Sequence, residues 1–113
     1  MKITNSTKGT VIATDAIIAG TVASRLRGLL GRASLPPGEA MVITQCRAIH
    51  MFFMRFSVDA LFVDAQGSVI GVVKHIRPFR MSPYFWKASY VIEMPVGTIE
   101  QSRTGKGDRI EIH

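Results

Sequence analysis

The run from Val58 to Asp64 is apolar on both of its faces: Val58, Ala60 and Phe62 alternate with Asp59, Leu61 and Val63. A strand of period two with both faces apolar belongs in the middle of a sheet that is covered on each side. Asp64-Ala65-Gln66-Gly67 follows, with aspartate at the first and glycine at the fourth position of a type I turn. Ser68 to Ile76 then continues in Val and Ile, which completes a hairpin. Such a strand should be central and Asp59 partly buried, and a buried carboxylate needs a partner.

The remaining segments fit around this hairpin. Lys2 to Ser6 and the Val/Ile-rich stretch Thr10 to Ala19 read as an edge hairpin across Lys8-Gly9. Val22, Leu26, Leu29 and Leu30 recur at helical spacing, with Thr21 as the N-cap and Gly31 at the closing position, so Val22 to Leu30 should form a short amphipathic helix lying on the sheet. Its arginines, Arg25 and Arg27, and Arg32 just beyond would then reach outward or across a groove.

Leu35-Pro36-Pro37-Gly38 breaks the chain before a strand at Ala40 to Thr44. Arg77 to Lys87 contains two prolines and sets Phe79, Tyr84, Phe85 and Trp86 among three cations, so it should be an irregular but apolar loop. Ala88 to Met94 reads as a strand that carries Glu93 beside Val91. A helical turn at Thr98 to Gln101 and a last strand at Arg109 to Ile112 follow. The expected fold is mainly β: a small curved antiparallel sheet or sandwich of about seven strands, with one short helix and a helical turn, forming one domain over residues 1–113.

Composition bounds the function classes. Fourteen Lys and Arg against eight Asp and Glu give a net charge of +6, which favours anionic partners. The cations are dispersed, and no RNP-like strand, zinc knuckle or helix-turn-helix signature points to specific nucleic-acid recognition. The single cysteine excludes an intramolecular disulfide. No apolar run approaches the ~18 residues that span a bilayer, and the stretch Thr10 to Ser24, interrupted by Asp15, does not read as a leader; a cytoplasmic location is expected.

Candidate chemistry gathers in Cys46 to Asp64, C-R-A-I-H-M-F-F-M-R-F-S-V-D-A-L-F-V-D, which holds four of the six phenylalanines and the only cysteine. Cys46 with His50 invites a nucleophile and base for a hydrolase or acyltransferase, against the simpler reading of a structural thiol and a backbone-bonded histidine. A metal set of Cys46, His50 and His75 or Asp59 lacks any C-x-x-C or H-x-x-x-H pair, so neither metal nor other cofactor is expected. Arg55 with Asp59, and Arg25 and Arg32 with Glu93, form the better motivated constellation, since an arginine fork satisfies a buried carboxylate or, left open, binds an anion.

The order of these motifs resembles the DUF192 family of small bacterial and archaeal proteins. The match spans about Arg25 to Ile112. Arg25-Leu26-Arg27-Gly28-Leu29-Leu30-Gly31-Arg32 resembles the family's R-x-x-G-L-M-x-R, with Leu30 in place of methionine. Ile49-His50-Met51-Phe52-Phe53-Met54-Arg55-Phe56-Ser57-Val58-Asp59 resembles its I-H-T-F-G-M-R-F-P-I-D, with Ser57 in place of proline. Ala40-Met41 departs from its Gly-Met, whereas Ile92-Glu93, Gly97-Thr98 and Gly107-Asp108 match its L-E, G-T and G-D elements. The resemblance implies a compact, mainly β domain and assigns no activity.

The function expected from the sequence is a non-catalytic domain. It would bind a small anionic or amphipathic ligand, or a peptide, in an apolar cleft between Met51 to Asp59 and the aromatic loop. Arg25, Arg32, Phe52, Met54, Arg55, Asp59, Trp86 and Glu93 would line that cleft. Cys46/His50 catalysis and nonspecific RNA binding are the alternatives. The sequence does not indicate an oligomeric state.

Overall fold

The computed structural model describes residues 1–21, 29 and 31–113. The expected helix Val22 to Leu30, and Arg25 with it, lie outside the described residues. Among the described residues eight strands form two sheets: β1 (Ile3–Asn5), β2 (Thr10–Ala13), β3 (Asp15–Ala19), β4 (Glu39–Thr44), β5 (Val58–Val63), β6 (Val69–Ile76), β7 (Tyr90–Pro95) and β8 (Ile110–Ile112). The smaller sheet has the order β2-β1-β8 and the larger β3-β4-β7-β5-β6. Among the described residues one helix, α1 (Thr98–Ser102), follows Gly97 as the sequence suggests.

All six residues of β5 are buried, as a strand apolar on both faces requires. Its turn into β6 is the expected one: the Gly67 N–H donates to the Asp64 carbonyl at 3.1 Å, and Gly67 takes φ 86. On one face of the larger sheet Leu61, Val63, Ile92 and Met94 pack with Ile3, Ile12, Ile99 and Ile110 of the smaller sheet and α1. On the other face Val58, Ala60, Phe62 and Val91 pack under Leu35, Ile49, Met51 and Met54. Among the described residues, loops rather than a second sheet cover that second face.

Two features depart from an antiparallel sheet of seven strands. Thr10 to Ala19 is not one strand; it bends at Thr14, so β2 joins the small sheet and β3 the large one. Gly38 causes the switch, its carbonyl accepting the N–H groups of both Thr14 and Asp15. β3 then pairs with β4 in parallel, Asp15 opposite Glu39 through Ala19 opposite Ile43, whereas every other strand pair is antiparallel. A parallel pair needs a long connection, and the end of β3 at Ala19 and the start of β4 at Glu39 are far enough apart in sequence to allow one.

Polar groups beneath the small sheet are closed among themselves. Asn5, fully buried, donates through Nδ2 to Thr104 Oγ1 at 3.0 Å and to Asp108 Oδ2 at 2.9 Å. Lys8 Nζ stands 2.9 Å from the same carboxylate oxygen, and the Gly105 N–H donates to it. The hydrogen bond from Asn5, with those from Lys8 and Gly105, outweighs burial and holds Asp108 down at about 2.

Candidate functional site

Asp59 is almost fully buried, yet among the described residues no arginine meets it. β6 carries two residues, Lys74 and His75, where β5 carries one, and this bulge turns the His75 N–H, at φ 56, onto Asp59 Oδ1 at 2.9 Å. Oδ2 accepts from the N–H groups of Gly97 and Ile99 at 3.0 and 3.1 Å. Those are donors that a helix start leaves without intrahelical partners, and Gly97 has no side chain to satisfy them. The expected Arg55–Asp59 pair is therefore absent, because three backbone donors already occupy the carboxylate.

Glu93 has the opposite situation. It lies one strand away, across from Met41 on β4 and Ala60 on β5, on the face that packs under the loops. It is 5% exposed, and its carboxyl receives no hydrogen bond from any described residue. Burial pushes its pKa up to about 7. Arg32, expected against it, instead pairs with Glu39 at 3.1 Å near the surface. Strand alternation puts Asp59 and Glu93 on opposite faces of one sheet, so they do not share a cleft.

Cys46 and His50 do not form a couple. The thiol donates to the Ala48 carbonyl at 3.1 Å, while His50 Nδ1 accepts from the Phe52 N–H at 3.4 Å and its ring stacks on Phe52 with centroids 5.1 Å apart. Among the described residues no three His, Cys, Asp or Glu side chains come together as metal ligands.

The two segments that carry most of the exposed aromatic surface are joined. The Phe85 N–H donates to Arg47 O, the Ser82 N–H to Ile49 O, the Met51 N–H to Arg80 O and the Phe79 N–H to Met51 O, so residues 45–57 and 77–89 run side by side as an irregular ladder. A groove of about 730 Å³ at its base is lined by Cys46, Arg47, Tyr84 and Ala88. The aromatic loop is pinned to the sheet through Phe85, whose ring stacks on Phe62 at 4.5 Å and lies over Gly71, the residue opposite Phe62. A Cβ at Gly71 would stand 2.5 Å from that ring, so only glycine leaves room for the anchor.

Within Met51-Phe52-Phe53-Met54 the methionines turn into the core and the phenylalanines turn out. Met51 is fully buried and Met54 8% exposed, against 78% for Phe53. Phe53 meets Phe79 edge-on at 5.8 Å, and Phe52 lies 6.5 Å from Phe79. Both Phe53 (φ 64) and Phe79 (φ 65) have left-handed backbones, an uncommon state for bulky residues. Met81, Tyr84 and Trp86 are also mostly exposed, and Lys87 Nζ lies 5.0 Å over the Trp86 ring.

The charge on this pair of loops is of one sign. Arg47, Arg55, Arg77, Arg80 and Lys87 are all exposed, and residues 45–57 and 77–89 contain no Asp or Glu. Nearly the whole net charge of +6 thus resides here. Of the site residues expected from sequence, Phe52, Arg55 and Trp86 lie on these loops, Met54 is core, and Phe53, Phe79, Met81, Arg77 and Arg80 were missed. Their signal was present as an absence of acidic residues shared by two segments far apart in the chain.

Comparison with known proteins places the chain. The model of the DUF192 family, described as Uncharacterized ACR, matches residues 3–112. The chain belongs to the DUF192 family. A UPF0127 protein of Thermococcus sibiricus is 36% identical over 111 residues, covering 95% of this chain and 71% of that protein. One from Pyrococcus furiosus is 29% identical over 113 residues, with 95% and 94% covered. A crystal structure of a protein of unknown function from Novosphingobium aromaticivorans shares the fold at TM-score 0.83 and 21% identity, covering 98% of this chain and 82% of that one. The function of the DUF192 family is unknown. Among the described residues, no helix is long and apolar enough to cross a membrane.

Proposed function

We propose that this DUF192 domain is a non-catalytic binding module whose working surface is the pair of loops 45–57 and 77–89. Its ligand is an amphipathic anion, a molecule with an apolar body and a phosphate or carboxylate head. Phe52, Phe53, Phe79 and Trp86 take the body, and Arg55 and Arg80 take the head. The observation that carries this reading is the coincidence of exposed cations and exposed aromatic rings on two hydrogen-bonded loops that contain no Asp or Glu. Exposed apolar side chains in a contiguous patch mark interaction sites, and arginine binds planar or tetrahedral anions with directed hydrogen bonds.

Trp86 is the only tryptophan, so its emission reports this surface directly. Titration with monomeric dihexanoyl phosphatidic acid should shift that emission saturably, and the zwitterionic dihexanoyl phosphatidylcholine should bind at least about tenfold more weakly. The double variant R55E/R80E should lose the anionic ligand while its melting temperature stays the same. Equal binding of both lipids, or an unchanged affinity in the double variant, would refute the reading.

A further inference from the structure

We infer that the paired loops dock this protein onto an anionic bilayer, with Phe53, Phe79, Met81 and Trp86 entering the boundary between headgroups and acyl chains and the arginines resting on lipid phosphates. This rests on the reading of the loops as an amphipathic-anion surface, and it names the form in which that ligand is met. Phe53, Phe79, Met81 and Trp86 are 78, 61, 67 and 68% exposed, a large apolar area to leave in water. They project from irregular loops rather than from a flat sheet. Peripheral proteins bind in this way, with aromatic and apolar tips inserted a few ångströms and cations on the headgroups.

The backbone makes the projection obligatory. Met51 and Met54 are held in the core, the Met54 and Phe79 N–H groups both donate to the Met51 carbonyl, and the left-handed turns at Phe53 and Phe79 fall between these fixed points. A bulky residue in that conformation is costly, and the contacts among the Phe52, Phe53 and Phe79 rings still leave Phe53 and Phe79 78 and 61% exposed. A bilayer supplies the missing cover.

Other occupants fit less well. A second copy would set five cations against five, with no acid on either side to relieve them. Single-stranded RNA prefers ring faces laid out as a platform, whereas Phe53 and Phe79 meet edge-on at 69° and the sheet face below is covered by the loops.

Vesicle sedimentation and Trp86 emission with the full chain test this docking. Phosphatidylcholine vesicles containing phosphatidylglycerol should sediment the protein and shift Trp86 emission to the blue, and pure phosphatidylcholine vesicles should do neither. Binding should weaken at least about tenfold between low and physiological salt. The variant F53N/F79N, in which asparagine accepts the left-handed backbone, should lower partitioning about tenfold or more without lowering the melting temperature. R55E/R80E should lower it about 25-fold or more. Binding of dihexanoyl phosphatidic acid without binding to anionic vesicles would overturn the docking and leave the amphipathic-anion reading standing; failure of both would overturn both. Tighter binding to oligouridylate than to vesicles, unaffected by F53N/F79N, would overturn the docking in favour of RNA.

Discussion

Asp59 and Glu93 sit on neighbouring strands of one sheet, both buried, and their surroundings differ in kind. Asp59 is met by a bulge in β6 and the first turn of α1, which turn three backbone N–H groups onto its two oxygens. Glu93 is met by Met41, Ala60 and the apolar loops above, with no donor from any described residue. The first face is held by directed hydrogen bonds across three elements, and the second by the fit of apolar side chains around a carboxyl group whose pKa burial raises to about 7. Burial alone does not decide what an acid does; the donors aimed at it do.

The contrast is broken most severely at Asp59. In Asp59→Ala the N–H groups of His75, Gly97 and Ile99 lose their acceptor, that of Ile99 in a buried position and the other two in partly buried ones, and a buried loss of this kind costs ~1–3 kcal/mol. Urea denaturation should show a loss of about 3–5 kcal/mol. A loss below about 1 kcal/mol would mean that these contacts do not bind the bulge and helix to β5.

Glu93 sharpens the contrast through pH. Its carboxyl pKa is raised from 4.5 to about 7 in the fold, so between those values the unfolded chain releases a proton that the folded protein retains. Stability must then fall as pH rises through this window and level off above it, by roughly 3 kcal/mol in all. Asp108 works in the opposite sense at lower pH, its contribution being present above 3.8 and lost as pH falls toward about 2. The wild type should therefore be more stable at pH 5 than at pH 8. Glu93→Gln should flatten that slope, and a slope unchanged in the variant would assign it to another group.

The smallest expected effect tests fit alone. Gly71→Ala forces the Phe85 ring off its seat, a small-to-large change that costs ~1–3 kcal/mol in a packed site. Because Phe85 pins the aromatic loop, the variant should speed amide exchange in residues 77–89 while leaving the N–H groups that meet Asp59 protected. Exchange that quickens equally at His75 and Ile99 would show the two faces to be coupled.

Much of the fold was legible because it depends on local pattern. The two-faced apolar run of β5, the Asp64–Gly67 turn and the helix after Gly97 each announce themselves within a few residues. The division of Thr10 to Ala19 between two sheets did not, since it depends on the Gly38 carbonyl and on parallel pairing with β4; the only local trace is that Ile12 and Ala13 are consecutive buried residues, against the alternation of a single strand. The partners of Asp59 were illegible for a similar reason. They are backbone groups, present in every sequence, and only the bulge and the helix start make them available. Prolines and rings in Arg77 to Lys87 marked an apolar loop, but its hydrogen-bonded closure on residues 45–57 moved the candidate site from a cleft to an outer surface.

The small sheet has a consequence for how the chain acquires its shape. The β5–β6 hairpin can form as soon as it is synthesised, from neighbours in sequence. β1 lies between β2 and β8, with Ile3 opposite Ile112, so its second neighbour is synthesised long after it. At ordinary synthesis rates that is on the order of ten seconds later. Through this interval the β1–β2 hairpin has only the marginal stability of two strands. The small sheet is therefore completed after the β5–β6 hairpin has had time to form.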